Sequence, residues 1–251
     1  MKKLIILTMA CWFARHTTAQ TFIEKASIEF EVKTNVKKTM GNSSWAEMLK
    51  ENMPQFKTGY YKFTFSNNKS IYQFDRWADG PKVPEWMRKD DEQSHYFFDF
   101  GNQKLYQRKT VAGGDFLMED SIPHINWRLT NESRDIAGFK CRKAAGIIMD
   151  SVYVFAFYTD EIVIPGGPCS VSGLPGMILA MTVPRLYVSF MATKISVNGV
   201  DETVIKPVAA KKYSTRAELK KLMLERSKDW YDGDDEDAKN WRNQFVWGTL
   251  L

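Results

Sequence analysis

Apolar and polar residues alternate with a period of two over several stretches of the chain, the pattern of half-buried strands. Ile28, Phe30 and Val32 alternate with Glu29, Glu31 and Lys33, and Tyr61, Phe63 and Phe65 alternate with Lys62 and Thr64. Asn67-Asn68 then turns the chain into Ile71–Phe74, which predicts a hairpin. Further strands are expected at Tyr96–Phe100 and Lys104–Val111 across Gly101-Asn102, and at Phe116–Glu119 after Gly113-Gly114. Others are expected at Asn126–Leu129, Gly138–Ile147, Val152–Tyr158 after Asp150-Ser151, Met177–Met181 and Leu186–Val197. Two stretches switch to helical spacing. Ser44 and Glu47 form a capping box ahead of Trp45, Met48 and Leu49, and Thr215 and Glu218 form another ahead of Leu219, Leu222, Met223 and Trp230. A second C-terminal helix carries Ala238, Trp241 and Phe245 inward, and Glu85–Lys89 suits one helical turn.

Short strands separated by turn residues point to antiparallel pairing, not crossover units. The expected fold is mainly β (α+β): a curved antiparallel sheet or incomplete β-barrel of about eight to ten strands. A short N-terminal helix and two C-terminal helices at 215–247 pack on it. Val152–Tyr158 reads as apolar on both faces, so something must cover each side.

The first 19 residues have a different character. Lys2 and Lys3 precede the apolar run Leu4–Phe13, and Thr17 and Ala19 stand at the small-residue positions before a cut ahead of Gln20. Residues 1–19 are therefore expected to be a secretory signal, with 20–251 a single domain in the periplasm or secreted. The apolar run is too short to span a bilayer, which needs about 20 residues. Removing Lys2, Lys3 and Arg15 lowers the net charge from +5 to +2, which argues for no nucleic-acid partner. Cys11 leaves with the signal. The remaining pair, Cys141 and Cys169, suggests a disulfide in an oxidising compartment, with two buried free thiols as the alternative.

Catalytic sets are missing from the pattern. His95 and His124 lie far apart without carboxylate or cysteine partners at ligand spacing. No phosphate-cradling loop, zinc-protease helix or nucleophile elbow is present. The acidic run Asp232–Asp237 fails the calcium-loop test, because Gly233 is its second residue and Asn243 its twelfth. No catalytic residue, metal or cofactor is expected. The aromatics of the first hairpin, Tyr60, Tyr61, Phe63, Phe65, Tyr72 and Phe74, read either as packed core or as the lining of an apolar cavity.

The most distinctive stretch is Gly166–Leu179, where prolines and glycines shape a loop that enters the apolar Met177-Ile178-Leu179. Gly173-Leu174-Pro175-Gly176, followed by Met177 and Ile178, resembles the signature of the GLPGLI family, exported proteins of the Bacteroidetes. Gly138–Ala144 (Gly-Phe-Lys-Cys-Arg-Lys-Ala), Phe157-Tyr158-Thr159 and Met191–Lys194 resemble other segments of that family. The resemblance implies an exported, sheet-rich protein working beside TonB-dependent outer-membrane transport. The function expected is a non-enzymatic binding or accessory protein of the cell envelope, with Gly173, Leu174, Pro175 and Gly176 as a candidate docking loop for an outer-membrane or periplasmic partner. The alternative is a carrier of a lipid or other apolar ligand in a half-barrel cavity.

Overall fold

The computed structural model describes residues 22–41, 44–111, 114–149, 151–230 and 236–251. The expected signal segment 1–19, its cut before Gln20, Gly113, Asp150 and the acidic residues Asp232–Asp235 lie outside the described residues.

The described residues form eleven strands: β1 (Ala26–Asn35), β2 (Phe56–Ser66), β3 (Lys69–Trp77), β4 (His95–Asp99), β5 (Lys104–Val111) and β6 (Gly114–Ser121), then β7 (Arg128–Ile136), β8 (Phe139–Ile148), β9 (Val152–Thr159), β10 (Met177–Val183) and β11 (Val188–Ser196). Their order in the one sheet is β6-β5-β4-β3-β2-β1-β11-β10-β9-β8-β7, with every neighbour antiparallel. The helices are α1 (Val36–Thr39, a single turn), α2 (Ser44–Glu51), α3 (Glu85–Glu92), α4 (Arg216–Trp230) and α5 (Glu236–Leu250). None of the helices among the described residues is long and apolar enough to cross a membrane.

The topology itself dictates curvature. The two edge strands, β6 and β7, are consecutive in sequence and joined only by residues 122–127. Seven residue steps reach at most about 25 Å. A flat sheet of eleven strands would hold its edges about 48 Å apart at the usual strand spacing. The sheet must therefore curl until its edge strands come within that reach, giving an incomplete antiparallel barrel that stays open along one seam, with 122–127 crossing the opening. This is the incomplete barrel expected from the sequence, with more strands than anticipated.

Inside the curl, Phe30, Phe63, Phe65, Tyr72, Phe98, Leu105 and Met177–Leu179 form the main core. The hairpin aromatics pack on one another: Tyr61 stacks on Tyr72 with centroids 5.2 Å apart and meets Phe74 edge-on at 5.4 Å. A second cluster lies under the helical hairpin, where Leu219 and Met223 of α4 and Val246 and Leu250 of α5 cover Val111 and Met118 at the β5–β6 edge. The capping box expected at the start of α4 is reciprocal, with Thr215 N donating to Glu218 Oε2 at 2.8 Å and Glu218 N to Thr215 Oγ1 at 3.1 Å.

Several elements differ from expectation for definable reasons. β7 begins later and runs further than Asn126–Leu129. As an exposed edge strand of polar sequence it needs no apolar face, so alternation does not mark it. β11 starts at Val188 because Pro184–Leu186 form a 3-10 turn that ends with Tyr187 at φ +52. The strand buried on both faces is chiefly β10, whereas the first half of β9 exposes Tyr153. The second C-terminal helix continues past residue 247; Ala238 is buried as expected, and Val246 and Leu250 add buried contacts beyond those expected from the sequence.

Candidate functional site

The loop between β9 and β10 folds inward against the core. Ile178 N donates to Gly166 O at 3.0 Å and Met177 N to Ile162 O at 3.1 Å, so the loop lies along the strand it introduces. Of the candidate docking residues, Leu174 and Gly176 are buried while Gly173 and Pro175 are exposed at the loop's tip. Gly176 has φ +138, and a Cβ there would lie 2.0 Å from Thr159 O. Only glycine lets the loop close against the end of β9, so this part of the motif positions a strand.

The other end of the loop reaches the seam. Ser170 N donates to Leu251 O at 2.9 Å and Ser170 Oγ to Leu250 O at 3.4 Å, fastening the loop to the end of α5. Trp127 Nε1 donates to Ser172 O at 3.0 Å, fastening it to the segment that crosses the opening. That segment lies flat on β8 because residue 146 is glycine. A Cβ there would meet Ile125 Cγ2 at 2.8 Å and Trp127 Cε3 at 3.0 Å. The start of α4 closes the far side: Ser214 bridges to Met118 on the edge of β6, and Arg216 N donates to Asp120 Oδ2 at 3.1 Å.

Between these elements is a cavity of about 370 Å³ lined by Pro123–Asn126, Ile147–Met149, Ser170 and Arg216. Its walls are mixed. Ile125, Ile147, Ile148 and Met149 are apolar, whereas His124, Asn126, Ser170 and Arg216 offer hydrogen-bonding groups. His124 Nε2 and Asn126 Oδ1 are paired with each other at 3.1 Å. Arg216 Nη2 donates to Leu250 O at 2.6 Å, while its Nη1 is buried without a partner. Burial lowers the Arg216 pKa from its ordinary value, against the pull of Tyr96 and Asp120.

A buried polar cluster stands behind Arg216. Cys169 adopts a left-handed backbone at φ +55, beside the Tyr72 and Tyr96 hydroxyls and close to the ammonium of Lys109. The Lys109 ammonium donates to the Tyr96 hydroxyl and also lies 4.6 Å from that ring's centroid. Burial lowers the Lys109 pKa to about 8 and pushes the Cys169 thiol up to about 11. The Tyr61, Tyr72 and Tyr96 hydroxyls are held well above their usual range, again chiefly by burial. At the outer edge, Tyr61 donates to Asp91 Oδ1 at 2.8 Å and Lys57 pairs with Asp91. Burial and the neighbouring Asp91 raise Asp90 to about 6. Chemically the cluster stores charge and hydrogen-bonding capacity; a thiol held protonated is a weak nucleophile.

Cys141 and Cys169 are not joined, correcting the expected disulfide: both are buried free thiols. Cys141 is on β8 near one edge of the sheet, where its thiol donates to Phe139 O at 3.5 Å. Cys169 faces Tyr72 and Tyr96 of β3 and β4, near the other end of the strand order. The two histidines also remain apart. His95 Nε2 meets Lys206 O at 3.1 Å, and burial lowers its pKa, whereas His124 lines the cavity. Among the described residues, no group of three or more His, Cys, Asp or Glu side chains could hold a metal.

Two residues of this site, Lys109 and Arg216, escape sequence reasoning, although each carries a signal. In β5, Leu105, Gln107, Lys109 and Val111 share one face, which places a lysine beside core residues. Arg216 opens a helix, where the dipole disfavours a cation. Both choices go against local preference.

No family model matches the chain, and no curated protein matches it. Two crystal forms of PNGF-II are similar at TM-scores of 0.48 and 0.46, with 14% and 13% identity over 76% and 90% of this chain. The chain spans 31% and 33% of the length of those chains. An uncharacterized conserved protein from Thermus thermophilus has a TM-score of 0.36 at 8% identity, covering 75% of this chain and 88% of that one.

Proposed function

We propose that this protein is a non-enzymatic binding protein of the cell envelope, exported by its first 19 residues and working beside outer-membrane transport. The cavity of about 370 Å³ at the barrel seam carries this reading. It lies at the low end of the roughly 300–1,000 Å³ typical of small-molecule sites. Apolar walls with a few convergent polar groups are the usual composition of such sites. The carrier reading thereby moves from the hairpin aromatics, which pack on one another, to the seam.

Mass spectrometry on protein expressed with its own N-terminus and purified from the periplasm tests the proposal. The denatured chain is expected to begin at Gln20, and the native mass to exceed it by a discrete adduct. Equal masses, together with no rise in melting temperature on adding an envelope extract, would count against a ligand-binding role. The exposed tip at Gly173 and Pro175 would then be the surface to test for a protein partner.

A further inference from the structure

Resting on that binding role, we infer that the seam cavity takes an amphiphile with a single negative charge, a carboxylate on one short acyl chain. The charge requirement comes from Arg216. Among the described residues no carboxylate lies within ion-pair distance of its guanidinium, although burial of an unpaired cation is costly. Asp120, the acidic side chain that acts on Arg216, accepts from its main-chain N. Nη2 is committed to Leu250 O and Nη1 is buried without a partner, in a side chain that lines the cavity. Ser170 stands on the same wall with a long, weak bond from its hydroxyl to Leu250 O.

The buried charge behind Arg216 has the same sign. Lys109 meets Tyr96, and its charge and that of Arg216 repel one another. Of the acidic groups acting on Lys109, Asp90 and Asp91, the latter is engaged by Lys57 and Tyr61 at the outer edge. A ligand anion at Arg216 would therefore relieve two cations at once.

Cavity size and lining set the rest of the ligand. Ile125, Ile147, Ile148 and Met149 supply an apolar wall, but about 370 Å³ is small for a two-chain lipid. A doubly charged phosphate head would bring more negative charge than the one cation among the lining residues can offset. A carboxylate matches that single charge.

Calorimetric titration with decanoate, decanol and sodium acetate tests the inference. Decanoate should bind at least about tenfold more tightly than decanol, given what a charge-assisted hydrogen bond contributes, and acetate should not register. Arg216→Met should bring decanoate down to the decanol level. Because Arg216 also ties α4 to Leu250, its folding is checked by circular dichroism, and a second pair of variants avoids the question. Ile147 is 47% exposed on the rim, so a charge there leaves the core untouched. Measured as the decanoate-to-decanol affinity ratio, which cancels the apolar contact both variants give up, Ile147→Lys should favour decanoate and Ile147→Asp disfavour it, by about two- to fivefold each way. Equal affinity for decanoate and decanol, or no response to the rim charges, would overturn the anionic head group and leave a binding role for the cavity intact. No binding of either probe, with an adduct still present in the native mass, would overturn the acyl ligand alone.

Discussion

Replacing Gly176 by alanine should destabilise the protein far more than the same change at Gly173, three residues earlier in the same loop. Both glycines have positive φ, +138 at Gly176 and +91 at Gly173. A side chain in such a conformation costs about 1–3 kcal/mol at either position. Their surroundings differ. At Gly173 the nearest neighbour of an added Cβ is Trp127 Nε1 at 3.8 Å, an ordinary contact. At Gly176 it is Thr159 O at 2.0 Å, with Thr159 C at 2.8 Å and Asp160 Cα at 2.9 Å. All three are backbone atoms at the end of β9, which pairs with Met177. Relief requires moving one strand away from another, an overpacking cost of about 1–3 kcal/mol or more. Gly176→Ala should thus lose about 2–6 kcal/mol and Gly173→Ala about 1–3. At about 2–4 °C per kcal/mol for a chain of this size, the two variants should melt several degrees apart. Thermal melts followed by far-ultraviolet circular dichroism, with urea midpoints alongside, measure the difference. Melting temperatures within 2 °C of each other would refute the strand-placing account and leave the motif in need of another reason for its glycine.

Lys109 makes stability depend on pH in a direction opposite to most buried acids. Its pKa falls from 10.5 to about 8 on folding, so between these values the unfolded chain binds more protons and stability rises with pH. Relative to Lys109→Met, the protein should gain about 1 kcal/mol between pH 7 and 9; parallel urea midpoints for the two would sink the assignment. Cys141 and Cys169, with thiols pushed up to about 12 and 11, should resist a thiol reagent in the folded protein. Both should react in urea without any reductant, and a mass lower by two hydrogens would show that they had been joined after all. Thr215→Ala breaks one half of the reciprocal cap on α4 and should cost about 1 kcal/mol. Faster amide exchange in the first turn of that helix would accompany the loss.

Local rules made most of the sheet legible. β1 and the middle of β2 alternate because one face is core and the other is more open, and Asn67 and Asn68 take the positive φ angles their turn requires. The start of α4 was legible to the residue, since Thr215 and Glu218 satisfy each other's backbone donors regardless of what surrounds them. The failures share a different property. β7 has no apolar face because it is an edge, and being an edge is decided by where the other strands go. The disulfide was inferred from compartment, whereas pairing depends on which strands bring two thiols together. Here Cys169 is claimed by Tyr72 and Tyr96. Local composition carries none of this information.

The candidate site follows from the same distinction. No single stretch of sequence contains it: the cavity draws on 123–126, 147–149, Ser170 and Arg216. What assembles them is the order of strands. A six-residue connection between the two edges forces the sheet to curl, yet hydrogen bonding between β6 and β7 is not established, so a seam remains. The seam cannot be left as bare sheet edge, and three segments are drawn to it: 122–127 across the opening, the loop carrying Ser170, and the start of α4 with Ser214 on the edge of β6. Each arrives with backbone already committed elsewhere, and side chains are what remain to fill the space between them. Arg216 is a cation at a helix start with one guanidinium nitrogen bonded to Leu250 O and another buried without a partner. A cation placed against its helix dipole and left half-paired is a departure from local consistency of the kind expected where a protein binds something.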